Sequence, residues 1–445
     1  MLFILKFIPY AIVLYTLKLC EKIASYLGFT ENVSPPDKDL NQENFAIAVQ
    51  RRNILWKYKI SLIYSASPTN FISWPSGICD YKTLLKDNVS LYCITPTEAW
   101  FVETPEDTDV YSSDSDPFLY ISQFKLASKL YVIPLQSLIA LGDFIGHPKV
   151  PVILLSSHGR CGSTLLTQAF ETNPGALTFG EPDAFTNAMS LKWNDRPTKE
   201  YLQSILTAIM KIMCREMPTR KVSLYCIKTR STCIGFVDLI AEKMPEVKNL
   251  YLYRNCADSV ASMEHSFSQG TEIGRLIGKI LKVKWFRSIL YWIYPDLPEG
   301  KRTIMSLLNL RYNIVFNLAF MASATPLGFW TVNWGITCAE YLRLRRDGVK
   351  IAGIRYEDFI SNTETVIQGL TQYTGIKLDP KVIITEVMKK DSQRGTEISK
   401  DKLASFNRLV PDDKTKEEMK YICEVLGLPE PNETTLLEGT IAVNL

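Results

Sequence analysis

Val150 to Glu181 reads VPVILLSSHGRCGSTLLTQAFETNPGALTFGE. It opens on an apolar, β-branched run, Val150-Pro151-Val152-Ile153-Leu154-Leu155, with the texture of a buried strand. A tight loop of small residues follows, Ser156 to Thr164, and then a helical pattern, Leu165 to Phe170. Strand, glycine loop and helix start together suit a phosphate. Gly159 and Gly162 let the backbone turn sharply and expose N–H groups. The helix start adds unsatisfied donors and partial positive charge. Arg160 adds a full charge in a fork that fits phosphate, and Ser163 and Thr164 add hydroxyls. A Walker A loop needs Lys before its Ser/Thr, and Gly162 stands there instead, which counts against an ATP-dependent kinase. The competing reading is an ordinary turn between strand and helix.

Four later stretches bear on the choice. Thr178-Phe179-Gly180-Glu181-Pro182 ends a second strand with a carboxylate, where doubly wound sheets place ligands and where Glu181 could take a proton from a hydroxyl. Val222 to Lys228 is another strand, followed by Thr229 and Arg230. Asn249 to Phe267 runs a strand, Leu250 to Tyr253, into Arg254 and then a helix, with Asp258 expected at its start and Ser262 in its first turns. Val349 to Phe359 gives a strand and the turn Arg355-Tyr356-Glu357-Asp358. Structural readings compete with the first two: a solvated turn Glu and a surface Lys at a strand end.

Arg160-Cys161-Gly162-Ser163-Thr164-Leu165-Leu166 resembles the 5′-phosphosulfate loop of sulfotransferases that use 3′-phosphoadenosine 5′-phosphosulfate (PAPS). It is closer to the Golgi carbohydrate branch than to the cytosolic branch, which has Lys at the Arg160 position. The resemblance runs over about residues 150–428. It implies that Gly159, Arg160, Cys161, Gly162, Ser163 and Thr164 cradle the 5′-phosphosulfate. Arg254 and Ser262, eight residues apart as in the family, would bind the 3′-phosphate. Tyr356 would lie near the adenine. Lys390 to Thr396 would close over the nucleotide, with Arg394 and Gly395 in contact. Lys228 matches a Lys that assists sulfuryl transfer, but Arg230 stands where the cytosolic branch has its catalytic His. Glu181, in a Glu-Pro typical of the Golgi type, is then the candidate base. Asn255-Cys256 also departs from the family, which has Pro after Asp or Asn here. The implied chemistry is in-line transfer of a sulfuryl group to a hydroxyl or amine of an acceptor, a glycan or a small molecule, without a metal. An ATP-using kinase and a non-catalytic binder that keeps the fold remain alternatives.

The chain has 445 residues, 46% of them hydrophobic and 22% charged, enough for a large core. Fifty basic residues against 47 acidic ones leave +3, too balanced for a general nucleic-acid binder. Ten cysteines without a C-x-x-C pair, and only three histidines, argue against zinc and for scattered free thiols.

Met1 to Phe29 is apolar and broken by Lys6 and Lys18. A spanning helix needs about 20 apolar residues. Three readings stay open: a short signal anchor, an interfacial helix, or a helix of the folded body. Membrane attachment, in the Golgi by the resemblance, is the expectation; a cytoplasmic protein is the alternative. The expected organisation is a hydrophobic segment (1–29), a linker (30–45), a mixed α/β extension (46–147) and a sulfotransferase-like domain (148–445). The fold class is α/β, a P-loop-like parallel sheet flanked by helices. Within the extension, Ile60–Tyr64, Val89–Ile94 and Ala99–Val102 read as strands, and Glu103–Pro117 as an exposed acidic loop. Ser268 to Pro326 is long, apolar and basic, a covering helix, an acceptor-binding lid or a membrane-surface helix.

Overall fold

A computed structural model of the chain describes residues 2–29, 33–34, 45–59, 61–62, 64–113, 116–195, 197–269, 324–394, 396, 398–404, 407–431 and 435–441. The chain divides into two compact units, Met1–Val150 with Glu181–Ser223, and Pro151–Gly180 with Leu224–Leu445.

The first unit is built on an antiparallel sheet of β1 (Ala48–Lys57), β2 (Phe71–Asp80), β3 (Val89–Ile94), β4 (Glu98–Glu103) and β5 (Lys129–Pro134), ordered β2-β1-β5-β4-β3. β3 and β4 lie where the apolar alternation puts them. The strand expected at Ile60–Tyr64 does not form: Ser61, Leu62 and Tyr64 lie in irregular backbone, and the nearby Ala66 N–H goes to the Asp183 carboxylate at 2.6 Å rather than to a ladder. The strand sits earlier, in the polar-looking β1. Its buried Arg52 is satisfied there by both carboxylate oxygens of Glu21 at 2.6 Å and by the Ser73 hydroxyl at 3.0 Å, with the guanidinium over the Trp100 ring. The expected acidic loop is also pinned: Asp109 pairs with Arg220, and buried Asp116 with Lys125 at 2.6 Å. Helices Asp183–Asn194 and Lys199–Met213, distant in sequence, pack on β3 and on the helix Leu135–Ile145.

The N-terminal helix, Leu2–Tyr26, belongs to this unit. One face, with Tyr10 and Leu14, packs against Ile72, and the Tyr10 hydroxyl donates to Thr69 O at 2.8 Å. The opposite face carries Ile12, Tyr15, Leu19, Ile23 and Tyr26, each 51–90% exposed, beside exposed Lys18 and Lys22. So one face of this helix joins the folded body and the other presents an apolar stripe. Among the described residues, no helix is long and apolar enough to cross a membrane.

The second unit carries a five-stranded parallel sheet: β6 (Val152–Ser157), β7 (Ala176–Gly180), β8 (Leu224–Lys228), β9 (Lys248–Tyr253) and β10 (Ile351–Arg355), ordered β10-β9-β6-β8-β7. All six residues of β6 are buried, as a strand covered on both faces requires. Its core joins Ile153, Leu155, Leu166, Phe170, Leu252 and Phe359. β6 is central, and the strand order runs away from it on both sides. That switch point opens a crevice at the carboxyl ends of the strands. The helix Thr363–Thr374 stops at Gly375, at φ 77, as its sequence requires. The apolar and basic stretch with Arg275, Lys279 and Lys282 lies outside the described residues.

Candidate anion site

The loop after β6 reaches the helix Ser163–Glu171 through two left-handed residues, Arg160 at φ 63 and Gly162 at φ 85. Left-handed backbone is free for Gly162 and costs about 1–2 kcal/mol for Arg160. Alternation of right- and left-handed residues turns successive N–H groups toward one point, the geometry of an anion nest. No side chain caps the helix that follows. The close quarters explain both glycines. A Cβ on Gly159 would stand 2.9 Å from Met263 Cε, and one on Gly162 would stand 2.5 Å from Tyr356 Cδ2.

The side chains of the loop divide by direction. Cys161 is buried; its thiol donates to the carbonyls of His158 at 3.0 Å and Leu252 at 3.4 Å, and burial pushes it up to about 11. Only its backbone is left for a ligand. Thr164 is buried and accepts from Lys228 Nζ at 3.3 Å, so the Lys at the end of β8 sits at the first turn of the helix Ser163–Glu171. Ser163, beside it, is also buried.

Arg160 Nε donates to the Ser262 hydroxyl at 3.2 Å, and its Nη1 bonds the side chain of Gln393. Burial first, and the charge of Arg254 second, push its guanidinium down to about 10, against an opposing pull from Asp391. Two cations converge here, as an anion site requires.

Arg254 follows the end of β9. Its guanidinium lies 4.9 Å from the Tyr356 ring centroid, on the ring that stands against Gly162, and pairs with Asp258 at 3.2 Å. Its Nε is buried and has no hydrogen-bond partner among the described residues. The carboxylate oxygen nearest this Nε is that of Glu357 at 4.0 Å, beyond hydrogen-bond reach, so this donor of a guanidinium can still turn to a ligand with anionic oxygens. The Asp258 carboxyl lies below its usual range: burial alone would raise it, but the Asn255 amide and the charges of Arg254 and Arg408 outweigh that. Asp258 lies in the first turn of the following helix, Cys256–Met263. Asn255 caps it, its Oδ1 accepting from Asp258 N–H at 2.9 Å.

The structure thus brings Arg160, Gly162, Arg254, Ser262 and Tyr356 together from three segments distant in sequence. Arg394 is exposed, and the contact from its loop is made by the preceding Gln393; Gly395 lies outside the described residues. Glu181, in the first unit, directly follows Gly180 of β7 and is left-handed at φ 54. Gly180 is in register with Lys228. Sequence reasoning missed His158, Gln393 and Trp334. His158, buried inside the loop itself, was findable as a polar residue in a turn. Trp334, whose indole donates to Arg254 O at 3.0 Å, has no local signal at all. All ten cysteines are free thiols. No group of three His, Cys, Asp or Glu able to hold a metal occurs among the described residues.

No protein-family model matches the chain, and no curated protein does so. Several solved structures resemble it. A sulfotransferase from Alicyclobacillus acidocaldarius is 13% identical over 63% of this chain and 96% of its own, with a TM-score of 0.33. The sulfotransferase domain from the curacin biosynthetic pathway is 13% identical over 64% of this chain and 100% of its own, with a TM-score of 0.33. A mouse sulfotransferase complexed with PAP is 14% identical over 65% of this chain and 89% of its own, again at 0.33. Likenesses of that size are too low to bear on the function.

Gly162→Ala forces a Cβ into the Tyr356 ring from a left-handed residue. It is expected to destabilise the second unit by about 1–3 kcal/mol in urea unfolding. An unchanged midpoint would mean that Tyr356 yields freely and that the packing is not tight.

Proposed function

We propose that the protein is a sulfotransferase that takes PAPS as its sulfuryl donor. The reading is carried by the convergence of Arg160 and Arg254 around Ser262, Tyr356 and Gly162, with Arg254 Nε making no hydrogen bond and facing Glu357 only at 4.0 Å. A nucleotide anionic at both ends is a ligand that two such loops could share. The 5′-phosphosulfate would rest on the backbone of Gly159 to Thr164 and on Arg160. Arg254 and Ser262 would hold the 3′-phosphate, and Tyr356 offers a flat face for the base. When bound, PAPS supplies the sulfuryl group. Lys228, held by Thr164 at the helix start, is placed to neutralise charge on the bridging oxygen as its bond to sulfur breaks. Glu181 accepts the proton of the acceptor hydroxyl as the new O–S bond forms. Its support is its place one residue beyond the strand end in register with Lys228. The acceptor is a hydroxyl compound, a glycan or a small molecule.

Calorimetric titration with 3′-phosphoadenosine 5′-phosphate, AMP and ATP separates the readings. A charge-assisted contact contributes about 1.5–3 kcal/mol, so the bisphosphate is expected to bind roughly 10- to 150-fold more tightly than AMP. Arg254→Ala should erase that preference. Tighter, magnesium-dependent binding of ATP would replace this reading with a kinase. Glu181→Gln should lower sulfuryl transfer about 100-fold on a panel of hydroxyl acceptors while bisphosphate affinity stays unchanged. Unchanged turnover would remove Glu181 as the base.

The exposed stripe of Ile12, Leu19 and Ile23 beside Lys18 and Lys22 supports attachment to an anionic membrane surface. The full chain should sediment with phosphatidylserine-containing vesicles and release when Leu19 and Ile23 are both changed to Asp. Failure of the unaltered protein to sediment rejects attachment.

A further inference from the structure

His158 stands between β6 and the phosphate loop, with its ring buried. Nothing above gives it a role. Its Nε2 accepts the backbone N–H of Arg254 at 2.7 Å. On the other side, Nδ1 lies 2.9 Å from Ser259 Oγ and 3.0 Å from Gly159 O, and the Ser259 hydroxyl is 3.1 Å from Gly159 O. One arrangement of protons satisfies the whole set. Nε2 must be bare to accept, so a neutral ring carries its proton on Nδ1. That proton goes to Ser259 Oγ, and the hydroxyl passes its own to Gly159 O. The assignment is inferred from the partners. A doubly protonated ring would turn an N–H against the N–H of Arg254. Burial, and the Arg254 charge after it, hold the ring down to about 4, against the pull of the Gly159 carbonyl, so it is neutral near pH 7.

The ring therefore bonds the backbone that carries Arg254 to the backbone of the phosphate loop. We propose that His158 is a positioning residue that fixes the Arg254 peptide relative to the phosphate loop, so that the two ends of one nucleotide are recognised as a unit. The proposal rests on the nucleotide reading above. Its rival is a buried histidine that merely satisfies its own hydrogen bonds. In that case Trp334, which holds the carbonyl of Arg254 from the other side, would suffice to place the peptide.

Two substitutions separate these cases. In His158→Gln the side-chain oxygen can reach the place of Nε2 and still accept from Arg254. In His158→Asn the shorter amide can replace only the Nδ1 side. Two readouts are taken on the full chain, with far-ultraviolet circular dichroism as the folding control. The first, hydrogen exchange of the Arg254 amide, needs no ligand. It is expected to be slow in the unaltered protein and in His158→Gln, and at least about tenfold faster in His158→Asn, as loss of one hydrogen bond worth about 1.4 kcal/mol would give. An unchanged rate in His158→Asn overturns the proposal whatever the protein binds.

The second readout is the preference for 3′-phosphoadenosine 5′-phosphate over AMP. It should fall about tenfold in His158→Asn and return in His158→Gln, while AMP affinity stays within about twofold. Equal loss of both ligands also overturns the proposal, because the ring would then only shape the phosphate loop. If the unaltered protein shows no such preference, the nucleotide reading fails, and the exchange result still decides whether the ring holds the peptide. Should His158→Asn not fold, His158→Ala, which also removes the acceptor of the Arg254 amide, is read the same way: faster Arg254 exchange supports the proposal and an unchanged rate overturns it.

Discussion

Two guanidinium groups of like charge, Arg160 and Arg254, stand near enough above the central strand of the second unit for the charge of one to oppose the charge of the other. Coulomb repulsion of this kind is tolerated only where the surroundings hold both groups firmly, and here they do. Arg160 is tied to Ser262 and Gln393, and Arg254 is laid on the Tyr356 ring and anchored by Asp258. The remaining fold serves that arrangement. A parallel sheet whose strand order reverses at β6 brings the ends of β6, β9 and β10 side by side. Each contributes one element: the glycine-bearing loop before the helix Ser163–Glu171, Arg254, and the short helix Tyr356–Ser361 that stands where the sequence suggested a turn.

Much of this was legible because backbone requirements leave strong marks in sequence. Continuous apolar strands, glycines where a Cβ would collide, and a glycine after the helix Thr363–Thr374 are all local signals. What was illegible depends on partners far along the chain. β1 reads as polar because its charges look solvated, and only the fold shows Arg52 meeting Glu21 from the N-terminal helix. Trp334 reaches the Arg254 carbonyl from a helix with no motif of its own. Of Gln393 and Arg394, it is the neutral amide that turns inward to the Arg160 guanidinium while the cation turns out to water. Two like charges already fill that space, and a third cation would raise the repulsion that the amide oxygen relieves.

The N-terminal helix takes up one of its three sequence readings, a helix of the folded body. Its Tyr10 and Leu14 face belongs to the folded body, and its other face remains apolar and open. A helix that is apolar all round normally buries all of itself. Here the sheet covers one side, and the positive side chains at the edge of the other set the kind of surface that could cover it.

Arg160 is left-handed where glycine would sit without strain, and that has an evolutionary corollary. Selection for stability alone would drift toward glycine at this codon, since the backbone would relax. Retaining an arginine there requires a continuing benefit from the charge. A lineage that lost its ligand would be expected to lose this residue early, before the surrounding sheet decayed, which makes the position a marker for whether a related chain still binds anything.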